Sequence, residues 1–486
     1  MNKDLNALTP HELWKNFHAL TTIPRPSKKE ARIIEFIKEF GLKNGLETMV
    51  DEIGNVIIRK PATPGMENRK GVILQSHLDM VPQKNSDKVH DFENDPIEAY
   101  IDGDWVKANG TTLGADNGMG VAATLAVLES KNLVHGPVEG LFTIDEETGM
   151  AGAMNLKPGV LKGDILLNMD SEDEGELYVG CAGGLDASSA FIYSEEPVKT
   201  GLTAFRIAVT GLKGGHSGID INLYKGNANK IMNRLLFQAT ETFHIRLATL
   251  EGGSLRNAIP REAFAVIVIE EKKSAEFLKM VSEFEKIVKN EYSTIDPDLK
   301  ITATTSEIPA RVMPADTQLK FLRAIYSCPN GVIRMSSDMP GLTETSTNLA
   351  IVKAGNGKAE VHSLLRSSVD SAKDDLAAMV KSVFDLAGAD TKLSGAYPGW
   401  KPNPSSAILK TMISVYENMY GKTPEIKAIH AGLECGILGG VYPNWDMISF
   451  GPTIRFPHSP DEKVNIPTVQ KFWDYLVETL KNIPVK

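Results

Sequence analysis

Residues 73–83 read ILQSHLDMVPQ, an apolar run that ends by placing His77 and Asp79 two positions apart. In an extended chain such residues share a face. A metal-bound imidazole usually donates its other N–H to an oxygen, and a carboxylate two residues along can supply it. Taken alone, His-x-Asp is equally an ordinary hydrogen-bonded pair. Further along, TTLGADNGMG delivers Asp116 from a glycine-rich turn into a stretch of small and apolar residues. TIDEETGMAG closes a strand pattern with Asp145, Glu146 and Glu147, and DILLNMDSEDEG closes another with Asp170, followed by Glu172, Asp173 and Glu174. Stacked carboxylates repel and desolvate poorly, so they need water, cations or protons around them. A solvated acidic turn meets that need as well as a metal does. Near the end of the chain, FGPTIRFPHSPDEKV holds His458 between Pro457 and Pro460 in a stiff loop.

Three successive apolar strands that each finish in metal-competent residues weigh against independent surface turns, because open α/β sheets bind ligands beyond the carboxyl ends of their strands. Two imidazoles with several carboxylates suit zinc and exceed what one tetrahedral ion takes, so two ions sharing one carboxylate fit the set. Such a pair, about 3.5–4 Å apart, acidifies a water and polarises a carbonyl. An unliganded carboxylate must then take the water's proton, and Glu146, beside Glu147, is the candidate base. If the strand before Asp170 continued, Glu172 would face the same way and compete with it as a ligand. Gly118, Gly120 and Ala123 also fit a G-x-G-x-x-A dinucleotide fingerprint, although the preceding KANGTTLGAD lacks the β-branched strand that the fingerprint requires.

The elements that must carry these residues can be read from periodicity. From about 10 to 185, VILQSHLDMV, VEGLFTI and DILLNMD have strand character, while KEARIIEFIKEFGLKNG and NGMGVAATLAVLES carry apolar residues at helical spacing. The alternation predicts an α/β domain with a sheet covered on both faces. After 190, the alternating strands TAFRIAVTGL, EAFAVIVIEE and AEVHSLLRSSVD, with long helices near 222–242 and 273–291, predict a smaller α+β domain. The connector AYPGWKPNP is followed by a helix, a short strand and a closing helix.

With 486 residues the chain is too long for one ordinary core, and two or more domains are expected. A net charge of −10 without a basic block argues against nucleic acid or an anionic membrane as partner, and for a small molecule or peptide. MNKDLNALTPHELW lacks the apolar core of a secretory signal and no stretch is long and apolar enough to span a bilayer, so a cytoplasmic location is expected. Cys181, Cys328 and Cys435 are scattered and odd in number, which predicts reduced, buried thiols.

The order His77-x-Asp79, Asp116, Glu146-Glu147, Asp170 and His458, together with HLDMVPQKN, GTTLGADNG, GGHSG, RNAIPREAFA, HAGLECG and GPTIRFPHSPDE, resembles the M20 metallopeptidases over essentially the whole chain. The resemblance implies a zinc-peptidase catalytic domain of mixed sheet flanked by helices, in two parts at 1–186 and 396–486, with an inserted α+β lid at 187–395. It implies one zinc held by His77 and Asp170 and another by Glu147 and His458, with Asp116 bridging and cobalt or manganese as substitutes. Asp79 would orient His77, Glu146 would act as base and then proton donor, and the Asp116–Asn117 peptide would be cis. From the lid, His216 would stabilise the oxyanion, while Asn257 and Arg366 would bind the substrate backbone and its terminal carboxylate. A guanidinium suits that carboxylate because its fork donates two parallel hydrogen bonds.

In HAGLECG, His430 and Glu434 would share a face if the segment were helical, as metal ligands could. The family pattern instead makes the segment part of the substrate pocket, with Glu434 meeting the free amine of a dipeptide. The implied activity is hydrolysis of dipeptides, foremost those ending in histidine and including β-alanyl-histidine, by a homodimer. A broad-specificity dipeptidase or N-acyl amino acid deacylase of the same family is the alternative. A noncatalytic peptide-binding relative would have lost ligands, and none is missing here.

Overall fold

The apolar runs that end in acidic residues become the inner strands of an eight-stranded mixed sheet. The computed structural model describes residues 4–486, so the first three residues of the N-terminal stretch read above lie outside it. Strands Val72–His77, Val138–Thr143 and Ile165–Asn168 are parallel and buried at every position, as strands covered on both faces must be. Asp446–Ser449 adds in parallel beside Ile165–Asn168. Antiparallel strands extend the sheet, Val56–Lys60 and Glu47–Val50 at one side and Glu176–Cys181 at the other.

Register decides what this sheet can do. Val72 pairs with Val138 and His77 with Thr143, while Gln75 pairs with Asn168. The carboxyl ends are therefore level, and the segments carrying Asp79, Glu146, Glu147 and Asp170 all leave from one edge.

Helix Ala115–Glu129 is buried along nearly its whole length and packs on Val72–His77, Val138–Thr143 and the helix His11–Thr21. Its small residues allow the close approach. A Cβ at Gly120 would lie 2.6 Å from the Met169 carbonyl oxygen and 3.0 Å from Ser76 Cβ, so no larger residue fits where the helix crosses the strand ends. The helices Ala31–Lys43, Ala407–Tyr420 and Ile466–Lys481 complete the flanking layers. Gly118, Gly120 and Ala123 lie inside the helix Ala115–Glu129, and the strand before it, Trp105–Ala108, belongs to a separate four-stranded sheet. The strand-turn-helix unit of a dinucleotide site is not formed there.

The chain divides into two compact units, one holding the residues up to Gly180 with Trp400–Ala428 and Leu433–Lys486, the other Cys181–Gly399 with Ile429–Gly432. The second unit is α+β, built on a nine-stranded sheet whose pairings are antiparallel throughout. Alternation along Leu202–Thr210 and Ala263–Glu270 sends Phe205, Ile207 and Val209, with Ala265, Ile267 and Ile269, into one core. Helices Ala228–Phe243, Ser274–Glu291, Ala315–Ser327 and Asp370–Leu386 fill the same core. All three cysteines are buried. Among the described residues no helix is long and apolar enough to cross a membrane.

The packing at Gly120 makes a direct prediction. Gly120→Ala should cost about 1–3 kcal/mol, because the added methyl would press on the Asn117 side-chain oxygen that the Gly120 N–H donates to, as well as on the Met169 backbone and the Ser76 strand. Urea denaturation should show a lower midpoint at unchanged slope; an unshifted midpoint would contradict the close approach.

Candidate metal centre

His77 is the last residue of its strand, and the chain then turns so that Asp79 folds back beside it. The imidazole Nδ1 lies 3.1 Å from the Asp79 carbonyl oxygen and 3.4 Å from its Oδ1. That leaves Nε2 facing outward from the strand end, 3.1 Å from Asp116 Oδ1 and 3.3 Å from Asp170 Oδ1. On the opposite side of Asp116, His458 Nε2 lies 3.3 Å from Oδ2 and 2.9 Å from Glu147 Oε2. Each oxygen of Asp116 thus meets a different imidazole. Two ligand clusters result, His77 with Asp116 and Asp170, and Glu147 with Asp116 and His458, each with its ligand atoms within 4.8 Å of one another. Glu146 groups with His77 and Glu147 beside them. The Asp116–Asn117 peptide is cis.

Local chain geometry presents these groups. After strand Val138–Thr143, Asp145 takes a left-handed conformation with φ 52°, and the short turn Glu146–Gly149 begins. The N–H groups of Glu146 and Glu147 donate to Asp79 Oδ1 and Oδ2 at 3.0 and 3.3 Å, and Ser27 Oγ donates to Oδ2 at 2.8 Å. Asp79 therefore ties the His77 turn to the turn carrying both glutamates. It is held down to about 2 despite its burial, through His77, the Glu146 N–H and Ser27.

The other carboxylates of the cluster have fewer donors than Asp79. Burial, with Asp170, Glu434 and Glu147 nearby, pushes Glu146 well above the usual carboxylate range against the pull of His77. Burial raises Asp170 to about 6, and burial with Asp116 and Asp170 raises Glu172 to about 8. Hydrogen bonds to Asp116 and Glu147 lift His458 to about 11, and His77, against its own burial, is raised by Asp170 and Asp116. Acids that retain protons beside imidazoles that gain them mark a place short of positive charge. Glu147 Oε1 is buried and has no hydrogen-bond partner among the described residues. Two imidazole nitrogens and carboxylate oxygens around such an orphaned atom are a donor set that fits a divalent cation, zinc in particular.

Several supporting residues carry no motif that periodicity could reveal. Arg25, in IPRPSKKE, donates from Nη1 to the carbonyls of Leu78 and Asp79, both at 2.9 Å, and from Nη2 to that of Gly114 at 2.5 Å. Glu30 accepts the N–H groups of Lys28 and Asp145. Glu462 accepts from the turn that carries Asp116. The proline-rich spelling of IPRPSKKE and the SPDE tail after His458 are the only outward signals.

Two alternatives that spacing left open are not formed. His430 and Glu434 do not share a helical face, because the helix Glu434–Val441 begins only at Glu434 and Leu433 is extended. Neither belongs to a metal-competent cluster among the described residues. Glu434 is fully buried in the first unit, where Oε2 accepts from Gln75 Nε2 at 2.6 Å and Thr143 Oγ1 at 2.8 Å, and burial raises it to about 8. Its other oxygen, Oε1, is buried with no hydrogen-bond partner among the described residues. Glu172 does not continue the alternation, since the strand ends at Asn168, and it too stays outside both clusters.

The other predicted residues gather in the second unit. Gly215–His216 pairs with Ala258–Ile259, and the Ser217 N–H donates to the Asn257 carbonyl at 2.8 Å, so His216 and Asn257 are neighbours. His216 Nδ1 accepts from the N–H groups of Gly218 and Ile219 at 3.2 and 3.1 Å, which puts the ring proton on Nε2. Arg366 is buried, and it donates to Ser217 Oγ at 3.4 Å and Tyr397 Oη at 3.1 Å. Among the described residues no carboxylate lies within ion-pair distance of it. His430 Nε2 lies 2.7 Å from Ser346 Oγ, and burial with Arg366 and His216 nearby lowers it to about 3, so it is neutral.

Comparison with known proteins agrees with this geometry. Residues 73–482 match the model of peptidase family M20/M25/M40. The cytosol non-specific dipeptidase of Escherichia coli strain K12 is 47% identical over 483 residues, which cover 99% of this chain and all of that protein. The crystal structure of aminoacylhistidine dipeptidase from Vibrio alginolyticus superposes with a TM-score of 0.95 at 48% identity, covering 100% of this chain and 99% of that one. Aminopeptidase PepT from Bacillus cereus shares the fold at a TM-score of 0.57 and 16% identity, over 98% and 99% of the two chains. With a family match spanning most of its length and relatives this similar from end to end, the chain belongs to peptidase family M20/M25/M40.

Proposed function

We propose that the chain is a two-zinc dipeptidase of the cytosol, acting on Xaa-His dipeptides that include β-alanyl-histidine. The observation that carries this reading is the division of Asp116 between two ligand clusters, with Glu146 beside them next to His77 and Glu147. In it, His77 and Asp170 would hold one ion and Glu147 and His458 the other, Asp116 would serve both, and Asp79 would orient His77. A pair of divalent ions held by these residues would supply polarisation of the scissile carbonyl and acidification of water. The choice of dipeptides, of histidine at the second position and of the cytosol is supported by the names of the two relatives that match along the whole chain.

The chain's own residues supply the remaining chemistry. Glu146 takes a proton from the attacking water and returns it to the leaving amine, a role suited to a buried carboxyl that binds a proton more firmly than usual. His216, with its proton fixed on Nε2 by two backbone donors to Nδ1, donates to the developing oxyanion. Arg366, buried beside neutral oxygens only, offers its charge to the terminal carboxylate. Asn257 contributes an amide to the peptide backbone, and His430 lines the same recognition cluster.

The substrate class is tested by comparing Leu-His, carnosine, other dipeptides, a tripeptide and N-acetyl amino acids. The dipeptides should be hydrolysed fastest; faster turnover of the acetylated compounds would replace this reading by that of a deacylase. Glu146→Ala should retain two equivalents of zinc by elemental analysis and lose about 10²–10⁴-fold in kcat, whereas His77→Ala should lose bound metal. Unimpaired turnover of Glu146→Ala removes the base assignment. Arg366→Lys should lower kcat/KM for dipeptides by about 10–100-fold, mainly through KM, because a single ammonium replaces a fork of charged donors. Steady-state kinetics with an unchanged KM would show that the carboxylate binds elsewhere.

A further inference from the structure

The turn that presents Asp116 is gripped from both sides by buried charges that touch none of the ligand atoms. Glu462 Oε2 accepts from the N–H groups of Leu113 and Gly114 at 2.7 and 3.0 Å, and Oε1 from those of Ala115 and Asp116 at 2.7 and 3.2 Å. One carboxylate thus collects four consecutive backbone donors. Charged acceptors make stronger hydrogen bonds than neutral ones, and a row of N–H groups curled around an anion is a rigid arrangement. Glu462 also lies four residues beyond His458 on the same loop, so its carboxylate links the His458 loop to the Asp116 turn.

Arg25 makes the corresponding link on the other side. Its guanidinium spans the carbonyls of Leu78 and Asp79, which follow His77, and the carbonyl of Gly114, two residues before Asp116. A Cβ at Gly114 would come within 2.6 Å of Arg25 Nη2 and 2.9 Å of Met80 Sδ, so the turn lies directly against the guanidinium. Arg25 is 3% exposed and Glu462 2%. Two charges this far from water are a poor way to gain stability, since apolar side chains of similar size commonly do as well or better. What they supply is a fixed distance.

We propose that Arg25 and Glu462 are positioning residues that set the two spans across the metal centre, Arg25 the one from His77 to Asp116 and Glu462 the one from Asp116 to His458. A carboxylate divided between two ions must keep each oxygen within ligand reach of a different imidazole. Its backbone therefore has to be held against both neighbours, and each of these side chains holds it against one. The proposal rests on the two-metal reading above.

Cobalt titration of the metal-free protein, followed by its visible spectrum and by competition with a chelator, tests it. The unaltered chain should bind two equivalents. Glu462→Gln keeps the size but replaces one oxygen by an NH₂ that faces N–H donors, and it should weaken one equivalent by about 10–100-fold with an altered spectrum at saturation. Glu462→Asp keeps the charge but is one methylene short, and should fall between the two. Arg25→Lys, which loses the fork, should weaken the binding that depends on His77. If the glutamate and arginine variants bind both equivalents with unchanged affinity and spectrum, the side chains are only structural and the proposal fails, whatever happens to Tm. Should Glu462→Gln not fold, Glu462→Asp and Arg25→Lys decide by the same criterion. Absence of cobalt binding by the unaltered chain would overturn the metal reading and this proposal with it, an outcome distinct from loss of the positioning effect alone.

Discussion

Carboxylates gathered out of water repel one another, and the first unit gathers Asp79, Asp116, Glu146, Glu147 and Asp170 at one edge of a single sheet. Everything around that edge answers this repulsion in some way. Asp79 is answered by a serine hydroxyl, two backbone N–H groups and the His77 ring. Asp116 is answered by two imidazoles, one to each oxygen. Glu146 and Asp170 have the His77 ring nearby, yet burial still raises their affinity for protons, and one oxygen of Glu147 meets no protein donor among the described residues. The unanswered part is what a pair of divalent ions would supply.

Convergence of this kind follows from parallel strands in level register. Strands Val72–His77, Val138–Thr143 and Ile165–Asn168 are paid no attention by solvent along their length, and their first polar departures come at the same edge. The helix that starts beside Asp116 must then cross those ends closely, which is why Gly120 stands against Met169 and Ser76. Below the edge, a second polar layer of Gln75, Thr143, Asn168 and Glu434 replaces the apolar packing found further along the strands. Its members are hydrogen-bonded to one another, so the floor of the site is held by directional bonds as well as by packing.

The second unit solves a different problem with neutral partners. His216 has its tautomer set by two backbone donors, and Arg366 lies beside a serine and a tyrosine hydroxyl. Such groups are ready to meet an oxygen or a carboxylate because none of their donors is spent on an ion pair. The names borne by the two end-to-end relatives differ in breadth, one non-specific and one for aminoacyl-histidine. Which of these this chain follows depends on the side chains around a substrate's second residue, where a few contacts separate a strict from a permissive enzyme.

Much of the fold and of the metal centre was legible along the chain. Apolar runs ending in His77, Glu146 and Asp170 announced strands of a sheet covered on both faces and the residues at their ends, since burial on both faces and polar termination are properties of local sequence; that these strands run parallel is a finding of the structure. Alternation in Leu202–Thr210 and Ala263–Glu270 likewise announced a sheet covered on one face by helices. Spacing left a shared face open at His430 and Glu434, and the structure closes that alternative because the helix begins only at Glu434. The roles of Arg25, Glu30 and Glu462 were not legible: their partners are backbone groups, which every residue possesses, brought to them from distant parts of the chain. Sequence by itself determined which side chains could bind a metal or move a proton, because chemical type and strand periodicity are local. Only the tertiary structure decided which of them meet and which charges hold them apart at a set distance, because that depends on where remote backbone donors and acceptors come to rest.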